Sequence, residues 1–174
     1  MVTRAQIAVG TYMRSRTGTL SLSTNRSTVN VNPAIFLHLN CSVQMVSPQV
    51  YEAFLFPYEK RLAEKLRPYG IHHCGDNLQL YAPCYARLPV IFFDVGWGSD
   101  VTRCRKDLPG AFLNLRLNPV RMLQCTAAEV RRDAENLVAA AGDTRNVGLC
   151  CINMDYGTPD ENVHALWEVA ASAG

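Results

Sequence analysis

The chain has 174 residues, 48% of them hydrophobic, with 17 basic and 15 acidic side chains and a mean hydropathy of −0.03. That is enough apolar material for one packed domain, which at this size buries about two-thirds of its unfolded surface. The longest unbroken apolar run, 137–141, is far too short for a transmembrane helix. The ordinary Gly, Pro and aromatic content excludes a collagen-like, disordered or coiled-coil chain.

The charge is unevenly spread. Arg4, Arg14, Arg16 and Arg26 are the only charged side chains before Glu52, so residues 1–51 carry +4 and the rest, with 13 basic and 15 acidic groups, carries −2. A mildly acidic body offers no electrostatic footprint for nucleic acid. Seven cysteines, an odd number, and the lack of an apolar stretch after Met1 argue for a reducing, cytoplasmic compartment, where thiols serve as core residues, metal ligands or catalytic groups. Residues 1–34 are rich in Ser, Thr, Arg and Asn and read as an extension, poorly ordered or a loose hairpin, with strand-like alternations at 19–24 and 28–32. The alternative is an organelle-import leader, whose composition is similar.

Regular structure begins near Ile35, and a second region spans 35–174. Ser47-Pro48 is an N-cap with proline at the first helical position. Val50, Phe54, Tyr58, Leu62 and Leu66 follow at every fourth residue as an apolar helical stripe, with a kink expected at Pro57 and a stop at Pro68-Tyr69-Gly70. Residues 71–75 predict a short strand and 77–88 a weak helix. The run 90–95 (Val-Ile-Phe-Phe-Asp-Val) suits a parallel strand buried on both faces. A helix over 101–108 and an alternating strand over 111–117 come next. Thr126-Ala-Ala-Glu129 is a capping box opening a helix that Gly142 closes. Residues 147–153 form another strand. Thr158-Pro-Asp-Glu161 is a second capping box, for a helix burying Val163, Leu166, Trp167 and Ala170. The order is a helix followed by four strand–helix units, hence an α/β fold with a parallel sheet and right-handed crossovers. A full (β/α)8 barrel needs about 250 residues, so this is about half of one.

The chemistry-bearing residues sit on these strands. In His72-His73-Cys74-Gly75, residues i and i+2 share a face, so His72 and Cys74 point together and His73 points away. Gly75 marks the C-terminal end of the strand, where barrel sites lie. Imidazole and thiolate are good zinc ligands, though a satisfied histidine and a buried cysteine on a strand are common without metal. One of Cys150 and Cys151, on the last strand, can converge with them. Three protein ligands with an open fourth position is the catalytic arrangement, able to hold a thiol as thiolate. Asp94 lies in an apolar strand and needs a partner. Trp97 and Asp100 belong to the loop after that strand and are placed to line a pocket. Asn114 and Arg116 alternate with leucines and point toward the barrel interior, where they suit an anion. Cys41, Cys84, Cys104 and Cys125 read as packing residues.

His72-His-Cys74-Gly75, Leu115-Arg-Leu-Asn118-Pro119 with Thr126-Ala-Ala-Glu129-Val130, and Cys151 ahead of Thr158-Pro-Asp-Glu-Asn-Val163 resemble the carboxy-terminal half of the uroporphyrinogen decarboxylase superfamily. Gln44-Met-Val-Ser47-Pro48 and Pro57-Tyr58 resemble the segment leading into that half. The resemblance spans roughly 38–174 and implies a TIM-barrel fold. One branch of the superfamily decarboxylates the acetate arms of uroporphyrinogen without a cofactor. The other comprises zinc- and cobalamin-dependent methyltransferases, which move a methyl group between a corrinoid protein and a thiol such as coenzyme M. The zinc branch is similar at His72, Cys74 and a late cysteine. A one-residue shift in the loop before Thr158 assigns that cysteine as Cys151, with Cys150 the alternative. The decarboxylase branch has a histidine near 151–152, which this chain lacks. Asn118 stands where the family has aspartate.

The leading expectation is therefore zinc-dependent methyl transfer with metal ligands His72, Cys74 and Cys151, cobalamin being carried by a partner protein. The alternatives are a decarboxylase-type protein that binds tetrapyrrole and a non-catalytic remnant. A half barrel is also expected to leave two open strand edges and an exposed apolar interior, inviting a homodimer or a complementary half.

Overall fold

The computed structural model describes residues 1–17 and 35–173. Helix α1 (Val2–Thr17) precedes strand β1 (Phe36–Asn40) and a short 3-10 turn, Cys41–Met45. Helix α2 is composite, running Pro48–Val50, Tyr51–Leu55 and Phe56–Lys65. There follow β2 (Tyr69–His73), α3 (Leu78–Tyr85), β3 (Val90–Val95), α4 (Val101–Asp107), β4 (Phe112–Arg116), α5 (Pro119–Gln124), α6 (Ala127–Ala141), β5 (Val147–Cys150) and α7 (Asp160–Ser172). The strands form one five-stranded parallel sheet in the order β1-β2-β3-β4-β5. Sequential parallel strands joined by helical crossovers are the wall of a (β/α)8 barrel. Among the described residues no helix is long and apolar enough to cross a membrane.

Strand alternation divides the side chains into two sets. One set, including Phe36, Tyr69, Ile71, Phe93, Val95, Leu113 and Leu115, packs under the helices as the main core. The other looks toward the barrel axis. Its lower layer is a small buried cluster of Ile35, Leu37 and Phe92 with Phe112 against it. The expected exposed apolar interior is therefore not found at these positions: Phe92 is 1% exposed. Gly70 shares this layer, where a Cβ would come within 2.9 Å of Ile35.

The structure has five strands where the sequence suggested four. The added strand, β1, combines a short apolar run with polar His38 and Asn40, a pattern that alternation alone does not mark as buried. Glu59 of α2 explains it. The buried carboxylate is 2.8 Å from His38 Nδ1 and accepts a 2.5 Å hydrogen bond from the Tyr69 hydroxyl, tying β1, α2 and β2 together. Residues 2–17, expected as an arm or hairpin, are helical and dock on α2, with Gly10 against Leu66. The alternations at 19–24 and 28–32 lie outside the described residues.

Two helix faces differ from expectation. In α2, Tyr51, Leu62, Ala63 and Leu66 are buried, while Val50, Phe54 and Tyr58 are exposed. The cause is the π-helical turn Tyr51–Leu55 ahead of Pro57, which inserts an extra residue and shifts the phase of an every-fourth stripe. In α7, Asn162, Ala165 and Val169 are buried, whereas Val163 is exposed and Trp167 is 74% exposed. Asn162 Nδ2 donates to the carbonyls of Met122 and Cys125, at 2.8 Å each, and that sets the rotation of the helix.

Candidate metal centre

The upper interior of the sheet is polar. Register aligns His72 of β2, Asp94 of β3 and Asn114 of β4 as lateral neighbours. His72 Nδ1 hydrogen-bonds Asp94 Oδ2, while Asp94 Oδ1 accepts from Asn114 Nδ2 at 3.2 Å. Asp94 is fully buried, and Arg116 Nε lies 3.7 Å from its Oδ1. Arg116 is itself buried and held by backbone, Nε donating to Val95 O at 3.1 Å and Nη2 to His73 O at 2.6 Å. Each charge in this dry layer has a partner, the condition for burying any of them. Gly96 belongs to the same construction, since a Cβ there would fall 1.8 Å from Gly75 O and 2.8 Å from Arg116 Nη2.

With Nδ1 committed to Asp94, Nε2 is the remaining ring nitrogen of His72. Its surroundings supply sulfur. Among the described residues, Cys41, His72 and Cys74 form a group whose ligand atoms all lie within 4.8 Å of one another. Cys41 follows β1 directly. The β1–β2 ladder ends on the pair Asn40–His73, and Cys41 and Cys74 are the residues that immediately follow the two strands. Burial works against protonation of His72, but Asp94 outweighs it and raises the imidazole above its usual value. Burial likewise opposes ionisation of Cys74, yet hydrogen bonds from His72 and Cys41 bring its thiol below the usual range. Cys41 moves the other way, raised first by partial desolvation of its thiol and then by the neighbouring Cys74 sulfur.

His72 and Cys74 thus come together as expected, with His73 on the opposite face, between Tyr85 Oη (3.1 Å) and Asn77 Oδ1 (2.9 Å). Cys151 does not join them. It packs with the helix-side cluster of Leu117, Met122 and Val169, and burial raises its thiol to about 11. Cys150 faces the interior, with its Sγ 3.1 Å from Asn114 Nδ2 and 3.9 Å from Asp94 Oδ1, and burial raises its thiol. The third member of the cluster, and its second sulfur, is Cys41, which sequence reasoning assigned to packing and the structure leaves exposed. The available signal was the pairing of the two strands that Cys41 and Cys74 immediately follow, hidden because β1 was not identified.

The remaining candidates divide. Trp97 lines a cavity of about 330 Å³ together with Gly98, Arg116, Asn118, Arg121 and Asn136. Asp100 does not line it: its carboxylate caps α4, accepting from Arg103 N at 3.0 Å. Asn118 caps α5 through Oδ1, 2.9 Å from Val120 N, a task asparagine and aspartate perform equally well.

Residues 33–173 match the family described as uroporphyrinogen decarboxylase (URO-D). The chain belongs to the uroporphyrinogen decarboxylase family. Its fold is similar to that of a methyltransferase from Methanosarcina mazei, with a TM-score of 0.68 at 17% sequence identity. That similarity covers 98% of this chain but 47% of the methyltransferase, so the chain spans about half the length of that structure. No curated protein matches the chain. For a family member of this extent, the parallel sheet and its polar interior face correspond to part of a TIM barrel.

Proposed function

We propose that the chain acts in zinc-dependent methyl transfer from a corrinoid to a thiol, with Cys41, His72 and Cys74 as the zinc ligands. The observation carrying this reading is the convergence of two thiols and one imidazole whose second nitrogen is held by a buried carboxylate. The donor set suits zinc. Tetrahedral zinc with bonds of about 2.0–2.3 Å needs donors about 3.5 Å apart, and these atoms all lie within 4.8 Å of one another. Metal-bound histidines characteristically give their other ring nitrogen to a carboxylate, as His72 does to Asp94. Three ligands leave one tetrahedral position open. Zinc bound there would supply the Lewis acidity that keeps a substrate thiol ionised at neutral pH.

The chain's own residues prepare the place. Asp94 fixes the tautomer and plane of His72. Asn114 and Arg116 hold Asp94 while excluding water from it. Trp97, Arg116, Asn118 and Arg121 line a cavity that shares Arg116 with this polar layer, and we assign it to the body of the thiol substrate. The methyl donor is a corrinoid carried by a partner protein.

The test is transfer from methylcobalamin to a small thiol, followed through the corrinoid spectrum with zinc-loaded protein. The wild type is expected to demethylate the corrinoid faster than free zinc and thiol do. His72→Ala is expected to abolish the gain, and Asp94→Asn to weaken zinc affinity by about 10–100-fold. Equal rates for wild type and His72→Ala would overturn the reading in favour of a metal-free decarboxylase relative or a non-catalytic remnant.

A further inference from the structure

The same geometry that brings Cys41 to Cys74 also suits a bond between them. We infer that Cys41 and Cys74 are a thiol–disulfide modification site, oxidised by a hydroperoxide to an intramolecular disulfide that removes both sulfurs from the metal centre. The strands they follow are adjacent and parallel, and Cys41 and Cys74 each lie one position beyond the Asn40–His73 pair that ends the ladder. Neighbouring strands are about 4.8 Å apart, inside the Cα separation of about 4.4–6.8 Å that a disulfide accepts. The two sulfurs already lie within 4.8 Å of each other. Cys41 is exposed at the strand's C-terminal end, so an oxidant reaches the pair without opening the core.

None of the other five cysteines offers this arrangement. Cys84 and Cys104 are buried on helices facing the core. Cys150 and Cys151 are adjacent in sequence and point to opposite faces of the sheet. Cys125 is on the helix side, against the Leu117–Met122 cluster.

The chemistry balances with the peroxide as two-electron acceptor. One thiolate attacks a peroxide oxygen, forming a sulfenic acid as the O–O bond breaks and hydroxide leaves. The second thiol attacks that sulfur, the S–O bond breaks, and the oxygen departs as water. In sum, two thiols and one hydrogen peroxide give one disulfide and two waters. A dithiol reductant reverses the bond.

The inference shares Cys41 and Cys74 with the proposed zinc site but does not require zinc to bind. The test treats the chelator-stripped full chain with hydrogen peroxide and counts free thiols, measures intact mass and maps disulfide-linked peptides, beside Cys41→Ser. The expected result is loss of two of the seven thiols, a mass decrease of two hydrogens, and a single linkage joining the Cys41 and Cys74 peptides, restored by dithiothreitol. In Cys41→Ser, Cys74 should instead accumulate as a trappable sulfenic acid. The exposed position of Cys41 makes a folding defect in that variant an unexpected outcome. A repeat with zinc chloride present separates the two readings. The Cys41–Cys74 linkage sustains this inference whether or not zinc slows it. Seven free thiols after oxidation, or a linkage through any other cysteine, overturns it even if zinc binds.

Discussion

His73 and His72 are neighbours in sequence with opposite surroundings. His72 faces a carboxylate and is raised, whereas His73 is fully buried on the helix side and brought down to about 4, chiefly by desolvation. Between pH 4 and about 6.5 the unfolded chain takes up a proton at His73 that the folded chain refuses. Stability should therefore fall as pH drops through that window, by about 3 kcal/mol in all at about 1.4 kcal/mol per unit. Urea unfolding at pH 7 and pH 4.5 should show this loss in the wild type and a smaller one in His73→Phe. Equal pH dependence in both would contradict it. The opposition of His72 and His73 was legible in the sequence, because alternation on a strand is fixed by backbone geometry. Their partners were not. Asp94 is 22 residues from His72 and Cys41 is 33 residues from Cys74, so each contact depends on which strands are neighbours and in what register.

At the scale of elements, the same hydrophobic texts led to correct strands and shifted helix faces. The runs 90–95 and 111–117 appear as β3 and β4 because a strand's period is unaffected by its surroundings. The α2 stripe held at Leu62 and Leu66 but missed at Val50, Phe54 and Tyr58, because one π-helical turn breaks the every-fourth phase and nothing in residue spacing announces that turn. Capping boxes show the same divide. At Thr126 both reciprocal bonds form: Thr126 Oγ1 accepts from Glu129 N, and Glu129 Oε2 accepts from Thr126 N at 2.9 Å. At Thr158 the motif is present but the box is not. Pro159 is the N-cap residue, no side-chain cap forms, and Thr158 Oγ1 is buried without a partner among the described residues. Thr126→Ala is thus expected to cost about 1 kcal/mol. Thr158→Val is expected to be neutral or stabilising, since it removes an unsatisfied buried hydroxyl. Denaturation midpoints of the two variants check both; a larger loss for Thr158→Val would mean that the hydroxyl is satisfied in solution.

For the molecule as a whole, the family match over 33–173 and the coverage of half a methyltransferase chain agree with the barrel portion inferred from alternating strands and helices. A closed barrel has no strand edges. Here β1 and β5 are the two ends of the sheet, each paired on one side among the described residues, and Leu39 of β1 is 53% exposed. Such edges favour association with a second copy or a complementary half. Analytical ultracentrifugation should accordingly give a species heavier than the 19.3 kDa chain; a monomer without concentration dependence would count against it. The polar centre is positioned by one sheet: β2 carries its imidazole, its sulfurs directly follow β1 and β2, and β3 and β4 supply the groups that hold the imidazole.

The most direct measurement is zinc content per chain, by elemental analysis of chelator-free protein beside Cys41→Ser, Cys74→Ser and Cys151→Ser. The account predicts about one zinc in the wild type and in Cys151→Ser, with zinc lost or greatly weakened in Cys41→Ser and Cys74→Ser. No zinc in any of them, or zinc that depends on Cys151 and not on Cys41, would contradict it.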